Sequence, residues 1–355
     1  FVYNIGGEHV EGFTSMLWTV ICAGYFHVFQ RIEISLYLLN LTLGALTVWV
    51  CLRRVRQPLL FLLLLAAAPA WFAWCQITLM ESGLWCLLLT LLVLAVVEKR
   101  PVMVALLLPL WVVTRPESML WGAWLILMLG MSIAGAEGWR RGLKATVLPL
   151  AFFAGALAAL VGFRVSYFGY PVPNTYYAKV SPNILYDLRH GLGYLLGYLF
   201  SHPAVTLVLA IWLWVLVRGL CQYRKDPNSA NTLIALCLLP GIAIPVLVGG
   251  DHFGGARFYQ PIWPLLCLLV VNEWPVLLGR MKPMQARTVL LALVLCGWVL
   301  FPFTARLKHE FHIARVGRET GAALATMFRD LEEYPTVATI TAGGIKFAYP
   351  GTVHD

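Results

Sequence analysis

The chain has 355 residues, 60% apolar and 12% charged, with a formal net charge of +9 and a mean hydropathy of +0.77. A soluble domain carries about 25% charged residues, so the composition excludes one and points to a polytopic membrane protein. In a soluble chain +9 would suggest nucleic acid; here it follows from lysines and arginines held on one side of a bilayer, and no nucleic-acid partner is expected.

Residues 1–31 read as an outer loop. Phe13 to Phe29 is apolar but interrupted by Thr14, Ser15, Thr19 and His27, which suits a helix lying in the outer leaflet better than a crossing. Residues 32–304 form the transmembrane domain, a mainly α helical bundle. Its apolar runs fall at about 32–52, 58–75, 82–97, 102–114, 118–135, 145–163, 203–217, 232–248, 259–278 and 288–304. Taken as crossings these make about ten, although a full crossing needs about 20 residues and several runs are shorter. His190 to His202, with Tyr194 and Tyr198 at i,i+4 spacing, reads as a second surface helix. The eight cysteines lie in or beside apolar runs without C-x-x-C spacing, so they read as small buried residues, with no metal site expected.

Alternate loops carry the basic residues. Fourteen sit in the loops holding Arg53, Lys99, Arg140, Arg218 and Arg280, against six in the opposite set, Arg31, Arg115, Arg164, Lys179, Arg189 and Arg257. The positive-inside rule places the first set in the cytoplasm and both chain ends outside. Residues 305–355 then start an exoplasmic α/β domain. Arg306 to Glu333 is helix-compatible, Thr336 to Ile340 reads as a strand, and Gly343-Gly344 as a turn. The chain opens on Phe1 without a signal pattern and stops at Asp355 soon after this domain begins, so further sequence is expected on both sides.

The chemistry gathers in the outer loops. Gly249-Gly250-Asp251-His252-Phe253-Gly254-Gly255-Ala256-Arg257-Phe258 places an acid, a histidine and an arginine among four glycines between two apolar runs. Glycine allows close backbone approach, and arginine holds phosphate or carboxylate in a bidentate grip. A plain helix reversal would explain the glycines alone. Glu11, Gln76, Glu81, Arg115-Pro116-Glu117 and Tyr170 to Lys179 complete the set. Each has a structural alternative: Arg115/Glu117 as a local ion pair, Glu81 as a first-turn acid, the proline segment as a turn. Together, cations suited to a lipid phosphate, carboxylates able to act as base or hydroxyl binder, and tyrosines able to stack on a sugar converge on one face.

At these residues the chain resembles the GT-C superfamily of polytopic glycosyltransferases, in particular the terminal arabinofuranosyltransferase branch and its Gram-negative relatives. The matching pieces are Tyr3 to Ser15, Thr114 to Glu117, Asn174 to Lys179, Gly249 to Asp251 with Arg257-Phe258, and Gly343 to Asp355. The resemblance implies inverting transfer from a polyprenyl-phosphate-linked sugar to a cell-envelope glycan or glycolipid, at the outer face of a bacterial inner membrane, without a metal or other cofactor. It places the family's base in an acidic pair upstream of Phe1 and leaves Asp251 as the visible candidate. Glu11, Glu81, Arg115, Glu117, Asn174, Tyr177, Lys179, His252 and Arg257 are then the candidate substrate-binding residues. Glu81 follows Leu79-Met80 where the family has Gly-Leu. A lipid or sugar transporter, marked by interrupted helices and a polar midplane site, and a non-catalytic assembly factor are the alternatives.

Overall fold

The computed structural model describes residues 9, 11–29, 32–174, 176, 183–222, 229–251, 253–277, 283–300, 305–339 and 342–354. The protein is mainly α. Among the described residues, five helical stretches are long and apolar enough to cross a membrane. They are α2 (Ile32–Leu52), α7 (Ser118–Glu137), α8 (Trp139–Phe168), α10 (Pro203–Gln222), and the run Ala230–Leu247 made of α11 (Ala230–Cys237) and α12 (Leu239–Leu247). Among the described residues, five of the ten expected runs thus qualify by length and composition, or six if the bent pair Pro58–Ala66 and Pro69–Ile77 counts as one span. At 1.5 Å per residue, α6 (Pro101–Val112) reaches only about 18 Å, against about 30 Å for a hydrocarbon core.

Another short apolar helix, α5 (Ser82–Val97), is buried on nearly every side, with Leu89, Leu92 and Val93 fully enclosed. A helix apolar all round needs such a central place. It shares the core with α13 (Trp263–Leu277), whose Leu265, Leu266 and Leu269 are equally enclosed. The helix α9 (Ile184–Leu199) starts before the expected His190 and crosses α12 closely, because Gly191 leaves no side chain between itself and the Val246 backbone.

The run expected as one crossing at 58–75 is broken instead. Helix α3 (Pro58–Ala66) ends, Pro69 starts α4 (Pro69–Phe72), and a π-helical turn, Ala73–Ile77, follows at 82° to α3. Proline lacks the N–H that would bond the carbonyl four residues back, here that of Leu65. The indole of Trp263 donates to that oxygen at 3.2 Å, and Trp298 donates to the neighbouring Ala66 carbonyl at 2.9 Å. The break between α11 and α12 is capped in the same way. Pro240 cannot bond Leu236 O, and Trp124 donates to it at 2.8 Å; Trp121 reaches Cys237 O at 2.8 Å and Trp212 reaches Ala235 O at 3.1 Å. An unsatisfied carbonyl in a bilayer costs several kcal/mol, which is why both breaks face tryptophans.

At the end of the bundle, α14 (Pro283–Leu300) is followed by α15 (Ala305–Met327), the expected charged helix. Strand β1 (Val337–Ala338) pairs in parallel with β2 (Val353–His354). Gly343-Gly344, read from sequence as a turn, belongs to the helix that joins them, α16 (Ala342–Ala348). Glycine suits the place because α16 lies against α15 so closely that a Cβ on Gly321 would come 2.5 Å from Ile345 O. Arg318 on α15 meets Glu33 in the first turn of α2 at 2.8 Å.

Candidate functional site

The glycine-rich stretch between α12 and the 3-10 helix Arg257–Ile262 turns the chain through left-handed backbone. Gly249, Gly250 and Gly255 have φ of 81°, 79° and 73°, a region that side chains disfavour. The reversal brings Arg257 back onto Asp251, Nη2 to Oδ2 at 2.8 Å. Trp74, on the π-helical turn, donates to Gly254 O at 3.0 Å, and the Tyr194 hydroxyl on α9 accepts from Phe258 N at 3.1 Å. The broken helix and the surface helix thus hold the turn from two sides.

A second arginine stands beside the first. Arg115 follows α6, with Pro116 behind it, and grips Glu117 through Nε at 3.2 Å and Nη2 at 2.9 Å. Its Nη1 bonds Glu81, at the mouth of α5. The Phe258 ring lies between the two guanidinium groups, 4.9 Å from that of Arg115 and 5.4 Å from that of Arg257. Trp85 also faces Arg115 at 4.8 Å, and Phe253 faces Arg257 at 4.4 Å. Arg257 Nη1 donates to the Met80 sulfur at 3.3 Å, and both arginines are 5% exposed.

Two cations and three carboxylates make one electrostatic unit with a surplus negative charge. Burial would push the Glu117 carboxyl up, but Arg115, through its charge and hydrogen bonds, and Arg257 beyond it hold it below the usual carboxylate range. Burial alone would lower Arg115, and the Glu117 and Glu81 carboxylates raise it instead. Arg257 Nε is buried with no hydrogen-bond partner among the described residues. Next to Glu117, a pocket with room for about one water molecule is walled by Trp85, Trp121, Phe258, Pro240 and Pro245.

Glu81, Arg115, Glu117, Asp251 and Arg257, all expected from sequence, therefore meet in space. Glu11 does not join them. It is 1% exposed and taken up by Arg164 on α8 through three hydrogen bonds of 2.9 to 3.0 Å. Asn174 is exposed, and among the described residues no contact ties it to the cluster. Tyr177, Lys179 and His252 lie outside the described residues. Sequence reasoning missed Met80, Trp85 and Phe258 as partners of the arginines; an aromatic or methionine in an apolar chain carries no signal of what it faces.

The opposite end of the bundle holds different groups. Arg54 and Arg100 both meet Glu98 just beyond α5, at 2.6 and 3.0 Å. Glu273 on α13 takes Arg218 and Asn231 at 2.7 Å each, joining α10, α11 and α13. The acids and arginines of the cluster are thus separated along the bundle from the basic loops. Comparison of the chain with protein-family models, with curated proteins and with solved structures finds no match.

Proposed function

We propose that this protein is a membrane-embedded glycosyltransferase of the GT-C kind. It takes a sugar from a polyprenyl-phosphate-linked donor and passes it to a cell-envelope glycan or glycolipid at the outer face of a bacterial inner membrane. The observation that carries this reading is the pair of enclosed arginines on one Phe258 ring with three carboxylates around them. An incoming phosphodiester gains Arg257 by exchange with Asp251. Arginine suits that exchange through its planar fork. In the reaction the acceptor hydroxyl oxygen attacks the anomeric carbon, the bond from that carbon to the phosphate oxygen breaks, and the polyprenyl phosphate leaves. The hydroxyl proton passes to a carboxylate. Asp251, released from Arg257, is the visible candidate, and Glu117 and Glu81 are hydroxyl acceptors.

The test uses the protein in nanodiscs with a fifteen-carbon polyprenyl monophosphate as probe. Arg257→Ala is expected to weaken binding about tenfold or more, close to 1.4 kcal/mol, with Arg257→Lys restoring only part. Unchanged affinity in Arg257→Ala removes the phosphate site. Asn174→Cys, labelled in cells by an impermeant thiol reagent, checks that this face is outside; labelling only after the membrane is opened refutes it. The 82° break at Pro69 favours a second reading, a carrier of lipid-linked sugar. Movement of the probe across proteoliposomes without transfer would select it.

A further inference from the structure

The loop from the π-helical turn to α5, residues 78–81, touches both arginines: Met80 takes Arg257 and Glu81 takes Arg115. Its backbone faces the other way. Asn40, fully buried on α2, donates its amide to Thr78 O and, at 3.2 Å, to Met80 O. Trp18, on α1 (Met16–Val28), donates its indole N–H to Leu79 O at 3.0 Å. Three consecutive carbonyls are thus held by side chains of two other helices. Gly83 makes the approach possible, since a Cβ there would lie 2.8 Å from Asn40 Oδ1 and 2.6 Å from Cys75 O. The residue before Trp18 holds the other arginine's loop: Leu17 N donates to Val113 O at 2.9 Å, two residues ahead of Arg115.

We infer that Trp18 and Asn40 are positioning residues of the cluster. They fix the outward turn of the 78–80 carbonyls, and so present the Met80 sulfur to Arg257 and the Glu81 carboxylate to Arg115. Without them the loop backbone rotates, and both arginines lose a partner at once. The outward side of α1 is apolar, with Phe26 and Val28 exposed, so a surface helix is joined by Trp18 and Leu17 to both halves of the site. The inference rests on the reading that this cluster is where substrate binds.

The experiment separates the two claims with a readout that needs no substrate. In Met80→Cys protein, the rate of thiol modification at position 80, read on its own peptide by mass spectrometry apart from the eight native cysteines, reports how firmly the loop is held. Adding Trp18→Phe keeps the ring and removes the N–H; modification is expected to speed up about tenfold while the melting temperature moves by only about 2 °C. Adding Trp124→Phe removes an equivalent indole bond at the α11–α12 break and should leave the rate unchanged. In protein with Met80 intact, Trp18→Phe is expected to weaken the polyprenyl monophosphate probe about fivefold, about 1 kcal/mol. Should Trp18→Phe fail to fold, Asn40→Ser, whose short hydroxyl cannot span both carbonyls, is read in its place. An unchanged modification rate in folded Trp18→Phe and Asn40→Ser protein overturns the inference. Faster modification with no probe binding by the parent protein upholds the positioning role and defeats the transferase reading instead.

Discussion

Replacing Arg115 by methionine tests the electrostatics of the site most directly. The side chain keeps much of its length and its place against Trp85 and Phe258, but the Glu81 and Glu117 carboxylates lose the cation that faces them at 5% exposure. Breaking a buried pair from one side costs about 3–5 kcal/mol, because the remaining charge stays buried without compensation. The sign of the pH dependence should also reverse. In the parent protein Glu117 titrates below its ordinary value. Its contribution is therefore complete above the unfolded value, about 4.3, and is lost as pH falls through the lower folded value. In the variant, burial is the main influence left, and the folded value rises above the unfolded one. Stability is then greatest at low pH and is lost as pH climbs through the raised value. Melting followed in nanodiscs between about pH 2 and pH 8 reads both effects. Adding Glu117→Gln should return part of the lost stability at neutral pH, since it removes a stranded charge. Parallel pH profiles for the parent and Arg115→Met proteins would refute the reasoning.

Two further outcomes follow from the pairs outside the cluster. Glu11→Gln leaves Arg164 without a counter-ion at 2% exposure, so it should destabilise the fold by about 3–5 kcal/mol. Affinity of the folded fraction for the phosphate probe should stay at the parent value, and a loss of affinity at full stability would return Glu11 to the site. Trp124→Phe removes the indole donor from the Leu236 carbonyl that Pro240 cannot serve, and should cost about 1 kcal/mol, read as a lower melting temperature; an unchanged one would mean that the break needs no indole cap.

The membrane character, the mainly α fold and the separation of fourteen basic residues from six were legible in the linear chain, because burial in lipid demands long apolar helices and leaves most charge to the loops and helix ends. So were Arg115 with Glu117 and Arg257 with Asp251, since partners two or six residues apart in one turn have little freedom to separate. Glu81 and Arg115 are 34 residues apart and Glu11 and Arg164 are 153 apart. Nothing in their types or spacing says that Glu81 joins the cluster while Glu11 is claimed by α8. The break at Pro69 was hidden for a related reason. An apolar run looks continuous, and only packing brings Trp263 to the carbonyl the proline abandons, which makes a bent helix tolerable inside a bilayer. The sharing of Phe258 by two arginines belongs to the tertiary structure for the same cause: local chemistry sets which groups need a partner, and the crossing of helices decides which partner each one meets.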